Sequence, residues 1–469
     1  MPPWPGAAHA FLHPDRMSLL GALHGLATTP ITRARVLELG CRRGENLLAL
    51  AAAWPLASFT GIEPDVENAR VAAERAAAAA LTNVTLVNGT LDALAAPGAD
   101  ALGEYDYIIA HGLLSRLVPA SREALWAIVG KALAPSGVAL VSFDAWPGQH
   151  MLEPLRRLMA FHVAEIPDPQ ARLVQARAIA HWQADRWFRV HGPARHTMLQ
   201  RALAELDALS DDELAHELLA EHHPLSLEEV IAEAEPHALQ WLTNARASEP
   251  RLGRASEHIR PIVSAYPDVV RQQQYLDYFF DTRFRASLFC KSAHELRRQA
   301  TVEDFEPLFV APRADVSPDD VPALSANARW MYNHIVDRPT PTAVRDVANE
   351  ALTAGFSDDR VQAIVAISEL FFADAIELAR VPPPIATRPP DLDERPRATS
   401  YATLQAQRDA LSATSLWLRD VALLDDERAT LALCDGAHAT DQIVEQVGPE
   451  AGDALVSLVR HGFLIGGGA

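Results

Sequence analysis

The chain has 469 residues, too many for one ordinary core, and its 49% apolar and 22% charged composition is that of a soluble globular protein of about three domains. Its 41 Lys and Arg stand against 61 Asp and Glu, and a net charge of −20 sets up a field that repels polyphosphate, so nucleic-acid binding is not expected. There is no apolar run of the ~20 residues a membrane span needs and no basic start or apolar segment of a secretory signal in the first thirteen residues. Cys41, Cys290 and Cys434 are too few and too scattered for a disulfide framework, which fits a reducing cytoplasm.

In chain order, the first clear pattern is residues 35 to 64. Val36 to Leu39 form a short apolar run closed by Gly40, which predicts a strand entering a tight turn. After Gly44 and Asn46, Leu47, Leu48, Leu50 and Ala51 recur at helical spacing, so a helix opens directly from that turn. Ser58 to Ile62 predicts a second strand ending on Glu63, where a carboxylate can accept hydrogen bonds from ribose hydroxyls. Glu38-x-Gly40-x-x-x-Gly44 is thus a nucleotide-type turn, yet not the G-x-G-x-x-G that cradles pyrophosphate. The plainer reading of the same spacing is a βαβ crossover with no ligand.

Val84 to Val87, Tyr105 to Ala110 and Val138 to Phe143 predict three further buried strands separated by helices, so residues 1–150 form an α/β, Rossmann-like sheet. Ligands of such sheets sit outside the carboxyl ends of the strands, and Gly40, Glu63, Thr90, His111 and Asp144 all fall there. Residues 151–209 read as a helical insertion, its aromatics Phe161, Trp182, Trp187 and Phe188 packing an accessory layer or, alternatively, a lid. Residues 210–300 lead through a helix back to apolar runs expected to complete the sheet. Residues 301–381 are mainly helical, 382–396 (PPPIATRPPDLDERP) read as a linker, and 397–469 as a winged-helix-like unit. Asp420, Asp425, Asp426 and Glu427 in that unit argue against a DNA groove, so protein docking or dimerisation is its expected role. His222 and His223 lack further close ligands, and no metal is expected there.

Several blocks together resemble one family. VLELGCRRGENL at 36–47, HPDRMSLLGALHGL at 13–26, YDYIIAHGLLSRLVP at 105–119, SFDAWPG at 142–148, QYLDYFFDTRFRASLFC at 274–290 and the stretch 404–436 look like the class I S-adenosylmethionine methyltransferases. Within these the chain is similar to the group that carries a methyltransferase regulatory domain and a C-terminal winged helix and includes bacterial outer-membrane-protein lysine methyltransferases. The resemblance implies S-adenosyl-L-methionine as cofactor, held by Glu38, Gly40, Cys41, Gly44, Asn46, Glu63, Pro64, Thr90, Leu91 and Ala110, with His111, Asp144 and Trp146 toward the acceptor. It also implies a protein or peptide substrate, lysine nitrogen by default.

Four positions depart from the family pattern: Arg42 and Glu45 stand where it has small residues, Thr90 where an acid meets the adenine amino group, and Asp144 where an amide is usual. Arg42 is expected to swing out or to pair with Glu38 or Glu45. Asp144 reads either as an orienting base or as a loop acid. Two other functions stay open, a tailoring methyltransferase for a small molecule or peptide natural product and a non-catalytic methyltransferase-like scaffold.

Overall fold

The computed structural model describes residues 7–98, 102–191, 200, 202–219, 222–246, 249, 251–252, 255–314, 316, 324–338, 340–408 and 410–466. Its centre is a seven-stranded sheet: β1 (Arg35–Leu39), β2 (Ser58–Glu63), β3 (Val84–Asn88), β4 (Tyr105–Ala110), β5 (Leu133–Asp144), β6 (Leu239–Asn244) and β7 (Phe284–Lys291). Their spatial order is β3-β2-β1-β4-β5-β7-β6, with β7 antiparallel to both neighbours and the other pairings parallel. β4 is apolar throughout its buried length, and so is β1 apart from Glu38, because helices cover both faces of a parallel sheet. The last two strands come from residues 239 to 291, after a long helical excursion, so the sheet is finished by chain far from where it began.

That excursion differs from expectation in what fills it. Helices Glu153–Val163, Pro169–His191 and Asp211–Leu219 enclose their own small core, built of Leu155, Met159, Val163, Ala176, Ala180 and Ala184. The first two helices supply Leu155, Met159 and Val163 and Ala176, Ala180 and Ala184 at i, i+4 spacing, the third adds Leu214, and the alanines let the helices close together. Phe161 lies two residues from Met159, on the opposite face, and is 82% exposed, while Trp182 is 58% exposed. The aromatics read as core are therefore on the outside; the side chains of Trp187 and Phe188 lie outside the described residues.

The middle unit holds helices Ala326–Val336, Val344–Thr353 and Arg360–Phe372, but it also carries a small antiparallel sheet. This is β8 (Phe309–Pro312), β9 (Thr342–Ala343) and β10 (Ile376–Ala379), in the order β10-β8-β9. One hydrophobic core runs from Val36, Leu140 and Leu288 of the large sheet to Met331, Ile367 and Ile376 of this unit. The segment 382–396 has no helix and is broken by a bend at 387–388 and a turn at 392–393, and it does not stand apart. Ala386 N donates to Leu464 O (2.8 Å), Thr440 N to Glu394 O (2.9 Å) and Gly436 N to Pro396 O (3.0 Å), so it borders the terminal unit as part of it. Helix Ser400–Gln407 of that unit packs on helix Glu45–Ala53, directly behind the glycine turn.

Candidate active site

The turn after β1 is shaped by two glycines in the left-handed region, Gly40 at φ 71° and Gly44 at φ 80°. Gly40 N and Cys41 N both donate to Ile62 O (2.8 and 3.1 Å), which folds the turn over the end of β2. Arg42 is also left-handed, at φ 50°, a conformation that costs a side-chain-bearing residue about 1 kcal/mol or more. Its amide reaches Glu63 Oε2 at 2.8 Å, and Asp65 N reaches Oε1 at 3.1 Å. Glu63 is thereby fixed at the end of β2 by backbone alone, and each of its oxygens keeps a second lone pair for a further donor.

The two acids proposed for Arg42 are occupied otherwise. Glu38 is buried beneath the turn and accepts from Asn46 Nδ2 at 3.0 Å; burial pushes its carboxyl up to about 8, Glu45 and Glu63 add to the rise, and the Asn46 amide opposes it. Glu45 pairs with Arg75 at 2.9 Å, and Arg75 also donates to Arg43 O at 3.0 Å, so an arginine from the helix after β2 braces the turn. Cys41 is buried, with its thiol raised by burial and the nearby carboxylates, which keeps it an unreactive packing group.

At the end of β3, Asn88 Nδ2 donates to Glu63 O (2.9 Å) and Pro64 O (3.2 Å), a tie the sequence reading lacked. Thr90 is exposed and serves as the N-cap of helix Leu91–Ala95, accepting from Ala93 N at 3.2 Å. Part of the hydroxyl's accepting capacity is spent on that helix, although its hydrogen stays available. Ala110 closes β4, in register with Leu39, so the ends of β1, β2 and β4 form one continuous edge.

On the acceptor side, His111 Nδ1 lies 2.8 Å from Ser142 Oγ, which itself accepts from Gly112 N at 2.7 Å. The hydroxyl keeps both its hydrogen and a second lone pair, so it can serve Nδ1 in either imidazole tautomer. Three rings stand edge-on to His111: His9 at 5.5 Å, Phe11 at 5.4 Å and Phe284 at 6.0 Å between centroids. The Arg246 guanidinium lies over Phe11 and Phe284, 5.7 and 5.3 Å from their centroids. Sequence reading missed this wall, because its members arrive from the N-terminal segment, the start of β7 and the chain after β6.

Asp144 ends β5 and is buried. Its carboxylate accepts from Gln149 Nε2 (3.0 Å), His222 Nε2 (2.9 Å) and Arg116 (3.3 Å), and its amide takes Ser115 Oγ as acceptor (2.9 Å). Trp146 is half exposed beside His150, and its amide donates to Leu225 O at 3.0 Å. Gly148 has no room for a side chain: a Cβ there would stand 2.3 Å from Asp281 O. The edge of the sheet thus brings Glu38, Gly40, Gly44, Glu63, Ala110, His111 and Asp144 to one side, with Thr90 and Trp146 at its margins.

Residues 37–139 match the family model described as a methyltransferase domain, and residues 210–291 match that of a predicted methyltransferase regulatory domain. The chain carries a methyltransferase domain followed by a methyltransferase regulatory domain. PKMT2 from Rickettsia typhi, solved in complex with AdoHcy, has the same fold, with a TM-score of 0.83 and 19% identity over 99% of this chain and 100% of that one. Among curated relatives, the uncharacterized protein RP789 of Rickettsia prowazekii is 26% identical over 71% of this chain, an alignment that spans only 60% of that relative's length. RP028 of the same organism is 26% identical over 47% of this chain and 86% of its own.

A methyltransferase domain implies S-adenosylmethionine, and the residues present fit it. Glu63 offers two lone pairs to a vicinal diol, and the left-handed glycines bring backbone to the rim of the crevice. Asn46 Oδ1 is buried with no hydrogen-bond partner among the described residues, an acceptor suited to the ligand's polar end.

Proposed function

We propose that the chain is an S-adenosylmethionine-dependent methyltransferase that modifies a protein or peptide side chain, lysine nitrogen first of all. The observation that carries the reading is Glu63, held by two backbone amides at the end of β2 beside the glycine turn. Glu63, Gly40, Gly44, Asn46 and the chain around Pro64, Leu91 and Ala110 would hold the cofactor, which supplies an electrophilic methyl group when bound. The protein's task is then to keep a nucleophilic lone pair in line with that group, and alignment of this kind is worth roughly 7–11 kcal/mol in the best cases.

A lysine amine, with a free pKa of about 10.4, attacks only after losing its proton. Asp144 is a poor base for this, since an imidazole and a guanidinium already donate to it. The aromatic wall supports another route. Phe11 and Phe284 remove water from an entering ammonium, and Arg246 beside them opposes a second positive charge, so both effects favour release of the proton to solvent. His111, at the end of β4 against this wall, is placed to orient the acceptor.

The test is transfer of label from tritiated S-adenosylmethionine to polypeptide in a bacterial protein fraction, followed by amino-acid analysis. Labelled methyllysine is expected. Label confined to small molecules would move the reading to a tailoring enzyme, and cofactor binding without any transfer would leave a non-catalytic scaffold.

A further inference from the structure

The start of the regulatory domain is sewn onto the acceptor side of the crevice, and one histidine sits at the seam. His223 N donates to Ser115 O (2.8 Å), Leu225 N to Asp144 O (3.0 Å) and Trp146 N back to Leu225 O (3.0 Å). His222, its side chain 3% exposed, lies between two carboxylates: Nε2 is 2.9 Å from Asp144 Oδ2 and Nδ1 is 2.7 Å from Glu153 Oε2. An ionised carboxylate can only accept, so a ring that meets one at each nitrogen must donate from both, and only the imidazolium does so.

From this geometry we infer that His222 is a positioning residue, a charged pin that joins the helical insertion to the loop Ala145–Gly148 and so fixes the acceptor side of the crevice. The inference rests on the methyltransferase reading for its effect on turnover, but not for the state of the ring. Asp144 belongs to β5 and Glu153 to the first helix of the insertion, and the His222 ring bridges them. Three guanidinium groups also bear on the two carboxylates and hold them in the ionised form. Arg116 from the chain after β4 stands 3.3 Å from Asp144, while Arg156 and Arg157 on the insertion helix stand 3.6 and 2.7 Å from Glu153. A neutral ring would leave one nitrogen lone pair facing a carboxylate oxygen, and that side of the pin would repel. The glycine turn and Glu63, which carry most of the cofactor contacts, lie at the ends of β1 and β2, across β4 from this cluster, so loss of the pin should reach turnover far more than cofactor affinity.

His222→Ala is expected to lower turnover at least tenfold while the cofactor dissociation constant stays within about twofold. Added imidazole should restore part of that turnover by entering the vacated space, and more strongly at pH 6 than at pH 8. The second readout needs no activity: nitrogen-15 spectra of the histidine side chains, with His222→Gln to assign the signal, should show both ring nitrogens of His222 protonated at neutral pH. Amide exchange of residues 153–163 should be faster in both variants than in wild type. A singly protonated His222 at neutral pH, or His222→Ala with wild-type turnover and wild-type exchange, would overturn the inference. Should the wild-type chain bind no cofactor at all, the methyltransferase reading fails by itself, and the spectra and exchange still decide the pin.

Discussion

Glu63 and Glu38 illustrate two opposite ways of placing a carboxylate, and they lead to different predictions. Glu63 is fixed by amides with lone pairs to spare, so Glu63→Ala should weaken cofactor binding by about 1.5–3 kcal/mol, the range for hydrogen bonds to a charged group, and should also lower stability, since the Arg42 and Asp65 amides lose their acceptor. Glu38 is instead a group the fold keeps protonated, with a carboxyl near 8 against an ordinary 4.5. The unfolded chain releases that proton first as pH rises, so the folded state loses stability from about pH 4.5 up through 8 and retains the whole penalty above it. Glu38→Gln removes the penalty and should be about 1–3 kcal/mol more stable than wild type at pH 8 to 9, with the difference shrinking toward pH 5. Denaturant unfolding at several pH values measures this, and parallel curves for the two proteins would contradict it. At this scale the turn and Glu63 were legible from sequence because strand, turn, helix and acid are contiguous. His222 was not: its partner Asp144 is 78 residues away, and adjacent histidines without nearby ligands carry no local signal.

Among the elements, β7 and the helix before it, Val269–Phe280, explain a block that resemblance alone could not interpret. Arg285 of β7 is fully buried and paired with Asp277 of that helix at 2.8 Å, and it reaches Asn244 of β6 at the same distance. Glu249 also faces Arg285 at 3.7 Å, but it is the more distant carboxylate, so Asp277→Ala should still cost about 3 kcal/mol in unfolding free energy, the low end for breaking a buried pair, with the cofactor residues untouched. Gly148 tests the neighbouring contact. Gly148→Ala would force a methyl group against Asp281 and Thr282 carbonyl oxygens and push the 145–148 loop aside, at a cost of roughly 1–3 kcal/mol. Turnover should fall with unchanged cofactor affinity; equal turnover in the variant would show that the loop does not shape the acceptor side. Sequence periodicity marked the insertion as helical but misjudged its aromatics, since a stripe of large side chains does not reveal which face the alanines will close.

Over the whole molecule, the doubly wound sheet was readable because parallel strands are short apolar runs at regular intervals. The joining of units was not, because it depends on long-range contacts. The HPDR block shows this: Asp15 accepts from Arg380 N (2.8 Å) and Val381 N (3.0 Å), and Arg16 faces Glu377 at 3.8 Å, so the N-terminal helix fastens the middle unit to the sheet. The prolines marked 382–396 as a linker, but hydrogen bonds to residues 434–466 tie it to the terminal unit. Deleting residues 383–469 would uncover the buried Tyr401 contact behind the glycine turn and the apolar surface shared with the middle unit. The shortened chain should therefore melt at least ~5 °C lower, given about 2–4 °C per kcal/mol for domains of this size, rather than behave as an independent cofactor-binding protein. An unchanged melting temperature would restore the view of a free appendage.

The claim on which the rest depends is that the edge of this sheet holds S-adenosylmethionine. Calorimetric titration of the intact chain with S-adenosylmethionine and S-adenosylhomocysteine, alongside Glu63→Ala, tests it directly. One site per chain with sub-millimolar affinity, weakened about tenfold or more in Glu63→Ala, is the expected result. A folded wild-type protein that gives no binding heat with either ligand, or a Glu63→Ala variant that binds as tightly as wild type, would contradict it.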